Sequence, residues 1–134
     1  MIIVLDASAA IEIALGNELS AQFKKLLQDA ELIIAPDTFI SEVTNTFWKY
    51  RKFAQFTDEV CLKGIEFCLG LVDDFASSTE LWKEAFLEGN RYQHSTYDLF
   101  YLVAARRHHA LLLTKDKKLN EIAIASGINI FSLK

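Results

Sequence analysis

The chain has 134 residues, 51% of them hydrophobic, with ten Phe, four Tyr and two Trp. That length predicts a single domain over 1–134, able to bury roughly two-thirds of its unfolded surface. The formal charge of −4 argues against holding nucleic acid by a broad basic surface, but not against meeting phosphates through bound cations.

Met1 to Leu5 is an unbroken apolar run that stops at Asp6. Such a run predicts a strand buried on both faces, in the middle of a parallel sheet. In open α/β sheets ligands bind beyond the carboxyl ends of the strands, so Asp6 stands where an acid can face a ligand. The run is far shorter than a signal-peptide core and has no basic flank. No segment approaches the roughly 20 apolar residues of a membrane span, and a soluble cytoplasmic protein is expected.

Ser8 is read as the cap of a helix over Ala9–Leu15, stopped by Gly16. A second helix is predicted over Glu18–Gln28. Glu31–Ala35 reads as strand two, ended by Pro36. In the long helix predicted over Thr38–Phe53, Phe39, Val43, Phe47 and Tyr50 share one face. Glu42, Asn45 and Lys49 form a polar stripe beside it, and Trp48 falls on the opposite side. Thr57 caps a helix to about Leu69. Its Cys61 and Cys68 are two turns apart, which suits small buried hydrophobes better than a disulfide or zinc site.

Strand three is placed at Leu71–Phe75, interrupted by Asp73 and Asp74. A helix over Thr79–Tyr92 follows. The next, from Ser95 or Thr96 to Arg107, is apolar almost all round and should be buried. Its basic end, Arg106 to His109, suits the negative pole of the helix dipole. Ala110–Thr114 is strand four, Lys117–Ser126 a helix, and Ile128–Leu133 strand five. Strands alternating with helices give a parallel α/β sheet covered by helices on both faces.

Asp6 and Asp116 each follow an apolar strand and precede a helix. Glu42 and Asp98 each sit near the start of a helix. Four acids from four segments therefore share the carboxyl rim of the sheet. Each has a plain alternative: Asp6 and Asp116 as caps, Asp98 as part of a Ser95-to-Asp98 capping box, Glu42 as a surface residue. Capping does not explain their gathering at one edge. Clustered carboxylates raise one another's pKa, and a divalent cation removes that penalty. Mg²⁺ and Mn²⁺ prefer oxygen ligands, and a pair of them about 3.5–4 Å apart serves phosphodiester hydrolysis.

At these residues the chain resembles the PIN-domain ribonucleases, and among them the compact VapC-type toxins of type II toxin–antitoxin modules. The matching motifs are Ile-Val-Leu-Asp-Ala-Ser at 3–8, Ser-Glu-Val-Thr-Asn at 41–45, Thr-Tyr-Asp-Leu-Phe-Tyr-Leu at 96–102 and Leu-Leu-Thr-Lys-Asp-Lys-Lys-Leu at 112–119. Each alone is weak; their order across the whole chain is specific. The resemblance implies a three-layer α/β/α domain with a five-stranded parallel sheet, order 3-2-1-4-5. It implies a catalytic and metal-binding quartet of Asp6, Glu42, Asp98 and Asp116, with Mg²⁺ or Mn²⁺ as cofactor. Ser8, Asn45 and Thr114 fall on its supporting positions. The substrate implied is RNA, tRNA or rRNA included, and the partners implied are a cognate antitoxin and a second copy in a homodimer. Leu99 departs from the family, where a small residue commonly follows the third acid. Lys115 and Lys117 flank Asp116 and are favoured as phosphate contacts; His108 and His109 are read as helix-end charges.

A receiver-like signalling domain is the alternative of another class. It needs an acid pair after strand one and a Lys-Pro near the last strand; Ala7 follows Asp6 here, and no Lys-Pro occurs. A PIN nuclease of RNA processing, without toxin activity, is the nearer alternative. A PIN fold kept only as a binding scaffold is disfavoured by the complete quartet.

Overall fold

The computed structural model describes residues 1–132. Its centre is β1 (Ile2–Leu5), whose Ile3, Val4 and Leu5 have no exposed surface. Total burial of three consecutive residues requires cover on both faces of the strand. β1 pairs in parallel with β2 (Leu32–Pro36) on one side and β4 (Leu111–Leu113) on the other, with Val4 opposite both Ile34 and Leu112. β3 (Asp74–Ala76) lies outside β2, giving the order β3-β2-β1-β4. Chain order reverses at β1, so a crevice opens at the carboxyl ends of β1 and β4.

Seven helices surround the sheet among the described residues. They are α1 (Ala7–Ala14), α2 (Ser20–Gln28), α3 (Thr38–Phe53), α4 (Asp58–Gly70), α5 (Ser78–Tyr92), α6 (Thr96–Arg107) and α7 (Lys117–Ala125). α6 packs on β1, β2 and β4, and its Leu99 and Tyr101 through Ala105 are buried, as its apolar composition requires. No helix among the described residues is long and apolar enough to cross a membrane.

The fifth strand expected over Ile128–Leu133 is not formed. One parallel bridge joins Ile130 to Leu112, and the Leu112 amide donates to the Asn129 carbonyl at 2.9 Å. β4 is only three residues long, so its outer edge has little ladder to offer. Leu133, the end of that expected strand, lies outside the described residues.

Strand three begins later than Leu71. Leu71 and Val72 pack against the core from a turn, and pairing starts where the Asp73 amide donates to the Ile33 carbonyl at 2.8 Å. α1 starts at Ala7 because Asp6, not Ser8, is its cap, accepting from the Ala9 amide at 3.0 Å. The Ser95 capping box is absent too: Ser95 makes no side-chain cap bond. Cys61 and Cys68 are buried and unpaired, and burial pushes the Cys68 thiol up to about 12.

α3 is locked to α4 through Phe47. Its ring is almost fully buried, meets Tyr50 edge-on at 5.6 Å, and lies where Gly64 leaves room. A Cβ on Gly64 would stand 2.5 Å from two Phe47 ring atoms. Gly→Ala inside a helix ordinarily stabilises by about 1 kcal/mol. Here the sign should reverse: Gly64→Ala is expected to cost about 1–3 kcal/mol through overpacking, read as a lower midpoint in urea unfolding.

Candidate active site

Two strand ends and two helices build the site. Asp6 leaves β1 and is buried. Its Oδ1 accepts from the Ser8 hydroxyl at 2.7 Å and from the Ala9 amide, and its Oδ2 accepts from the Thr114 hydroxyl. Ser8 Oγ also accepts from the Lys115 amide at 2.9 Å, and Thr114 Oγ1 from the Asp116 amide at 3.0 Å. Ser8 and Thr114 thus stitch the end of β1 to the loop after β4, and both hydrogen-bond to Asp6, one of the four expected acids. Asp116 caps α7, accepting from the Leu119 amide at 3.1 Å. Capping and membership of the acid rim coexist in Asp6 and Asp116 rather than exclude one another.

Glu42, one turn into α3, accepts from the Tyr101 hydroxyl at 3.2 Å through Oε2. Its Oε1 is buried without a hydrogen-bond partner. Asp98, in the first turn of α6, meets His94 Nε2 at 2.8 Å. All four expected acids line one cleft of about 630 Å³, together with Asn45, Tyr50, Lys115 and a fifth acid, Glu12. Lys117 is exposed and does not line it.

Lys115 lines the cleft but does not reach freely into it: its Nζ is held by Glu12 Oε1 at 2.8 Å. Glu12 is buried, and its Oε2 accepts from the Leu19 amide at 2.8 Å. Against its burial, the bonds from Lys115 and Leu19 hold its carboxyl below the usual range. Glu12, Tyr101 and His94 are not among the site residues expected from the sequence. A lone acid in an Ala-Ile helix and a phenol in the middle of an apolar one are the signals that mark the first two, since buried polar groups need partners.

Charge in the cleft is crowded. Burial lifts Asp6 from 3.8 to about 6 against three hydrogen bonds that favour its anion, and the charge of Asp98 adds to the lift. Burial lifts Glu42 to about 7, opposed by the Tyr101 bond and reinforced by Asp6 and Asp98. Asp6, Glu42 and Asp98 therefore feel one another. Burial, then the charge of Glu42, raises the Tyr101 phenol, which stays a donor.

This donor set suits a hard divalent cation. The acids supply only oxygen, one buried carboxylate oxygen is unpartnered, and two carboxyls resist ionisation without a positive neighbour. Among the described residues no three Asp, Glu, His or Cys side chains are already gathered as a cage. Mg²⁺ needs none, since it binds one or two carboxylates and keeps waters or phosphate oxygens elsewhere.

The raised acids carry a stability signature. As pH rises, the unfolded chain loses these protons near 4, the folded protein only near 6 and 7. The folded state is therefore favoured below pH 4, and that advantage is lost as pH rises to about 7. Melting in EDTA should show the midpoint falling across this window, and Glu42→Gln should make the fall shallower. An equal slope in both proteins contradicts the assignment.

Fold and cleft define a class: a parallel α/β domain with an acid cluster at its switch point. The PIN domain profile matches residues 3–125, and the chain belongs to the PIN domain family. It is 27% identical over 126 residues to Ribonuclease VapC3 of Pyrobaculum aerophilum, covering 90% of this chain and 94% of that protein. The crystal structure of PAE2754 from the same organism superposes with a TM-score of 0.73 at 19% identity, covering 91% of this chain and 87% of that one. VapBC2 from Rickettsia felis, solved bound to a DNA fragment from their promoter, matches with a TM-score of 0.69 at 15% identity over all of both chains. At these identities the two structures speak for the fold.

Proposed function

We propose that this protein is a Mg²⁺- or Mn²⁺-dependent endoribonuclease of the cytoplasm, the VapC-type toxin of a toxin–antitoxin pair. The observation that carries the reading is the convergence of Asp6, Glu42, Asp98 and Asp116 on one cleft, where burial raises the carboxyls of Asp6 and Glu42 above their ordinary range. The ribonuclease name of the Pyrobaculum relative supports it.

A divalent cation seated there supplies Lewis acidity toward phosphate oxygens and water. The chain does the rest. Asp6, fixed by Ser8, Thr114 and the Ala9 amide, presents its carboxylate in one rotamer. Glu42 Oε1 and Asp98 offer oxygens from the facing helices. Asp116 and Asn45 close the rim. Lys115, steadied by Glu12, places one positive charge at the edge for a substrate phosphate. Lys117 is assigned to the outer path of the strand.

The likeness to VapBC2 supports a small protein antitoxin as partner. A homodimer is proposed through α5, where Trp82 and Phe86, one turn apart, are 59% and 57% exposed. The test of activity is cleavage of single-stranded RNA with Mg²⁺ or Mn²⁺. Wild type should cleave, and both EDTA and Asp98→Asn should abolish it. Equal cleavage in all three refutes the reading.

A further inference from the structure

The acid cleft poses a problem for a polyanionic substrate. Five carboxylates line it against one lysine, and that lysine is already paired. RNA must be drawn in by cations next to the cleft. α3 supplies them. At 3.6 residues per turn, positions 42, 46, 49 and 53 fall within about 60° of one another. Glu42 and Thr46 line the cleft; Lys49 and Phe53 continue the same stripe beyond it. Phe53 is 73% exposed; Trp48, about 120° round the helix from Glu42 and next to Asn45, is 53% exposed. Between them stands Lys52, its Nζ 5.1 Å from the Trp48 ring centre and 5.3 Å from that of Phe53.

Among the described residues, Lys49 and Lys52 have no carboxylate partner, whereas Arg51 on the far side is held by Asp58 at 2.6 Å. Two exposed aromatic rings either side of an ammonium that no carboxylate holds, with a second lysine a turn away, match a strand of unstacked bases and phosphates. A protein partner would have to bring carboxylates to both lysines as well as apolar groups to both rings, whereas single-stranded RNA carries phosphates and base faces in alternation. Duplex RNA would offer no free base faces.

We propose that the C-terminal half of α3 is a landing track for single-stranded RNA, with bases stacked on Phe53 and Trp48 and phosphates met by Lys49 and Lys52. The track rests on the nuclease reading for its purpose but binds RNA without any cation in the cleft. It reconciles an acidic chain with a nucleic-acid substrate, because attraction is local and adjoins the acids.

Binding of a labelled single-stranded oligonucleotide in EDTA tests it, with the matching duplex alongside. Phe53→Ala and Trp48→Ala should each weaken single-strand binding about tenfold and leave duplex binding unchanged. Lys49→Gln should lower the salt slope of single-strand binding by about 0.7. Thermal midpoints should not move, since these side chains are exposed. Unchanged single-strand affinity in the ring variants overturns the track. So does an equal loss for duplex, or an effect confined to self-association or protein binding. A wild type that cleaves RNA while the variants bind normally rejects the track alone. A wild type that binds through these residues and never cleaves rejects the nuclease alone.

Discussion

Asp6→Asn should lower RNA cleavage by about 10³-fold or more, the scale of losing one preorganised charge partner at a transition state, while stabilising the ion-free protein. The two effects have one cause. Asp6 is buried at the floor of the cleft, and the gap between about 6 and the ordinary 3.8 corresponds to about 3 kcal/mol against its anion at neutral pH. Asparagine keeps an acceptor for the Ala9 amide and the Ser8 hydroxyl and presents a donor toward Thr114. The charge, and the strain of confining it, disappear together. In EDTA at pH 8 the variant should melt several degrees above wild type; with Mn²⁺ the order should narrow, because only wild type gains from the ion. Thr114→Val, which removes a partner of Asp6 and leaves the acid, should cost about 10–100-fold in activity. A variant at Asp6 that is both inactive and less stable in EDTA would mean the acid serves the fold instead.

The second large effect lies away from the cleft. Phe47→Ala should cost about 3–5 kcal/mol, much of the 5–15 kcal/mol typical of a whole domain. The ring is almost fully buried, edge-on to Tyr50, and its own carbonyl accepts from the Cys61 thiol at 3.4 Å. It joins α3 to α4, and α3 carries Glu42 and Asn45 to the rim. Loss of the ring also leaves space beside Gly64. Adding Gly64→Ala to Phe47→Ala should therefore recover stability, although Gly64→Ala alone destabilises. Urea unfolding of the four proteins gives the coupling directly. Additive losses would show that the two residues do not share the space.

Local pattern carried most of the fold. α3 runs over the span its Phe39–Val43–Phe47–Tyr50 stripe demands, bounded by Pro36 before it and by an exposed Phe53 at its end. α6 is buried because almost nothing on it is polar. The failures are where pairing, not pattern, decides. Ile128–Leu133 reads as a strand, yet β4 gives it one bridge. Leu71 and Val72 are apolar for the core, not for the sheet. Asp6 and Ser8 are two residues apart, and only the backbone geometry tells which is the cap.

The site divides the same way. Strand ends and helix starts place the four acids on a rim without coordinates. Their partners are another matter. Tyr101 reaches Glu42 across 59 positions and Lys115 reaches Glu12 across 103, so nothing local announces either bond. His94 sits one turn before Asp98, but the alternative of a Ser95-to-Asp98 capping box drew attention from it; in the structure its ring meets that acid and Ser95 makes no side-chain cap bond.

Titration calorimetry of Mn²⁺ into the metal-free protein, repeated in buffers of different ionisation enthalpy near pH 6.5, reaches the heart of the account. A saturable heat accompanied by proton release is expected, because Asp6 and Glu42 give up protons held by burial when the ion arrives; Asp6→Asn should remove most of it. No heat and no proton release, with RNA cleavage persisting in EDTA, would contradict a cation-dependent acid cleft.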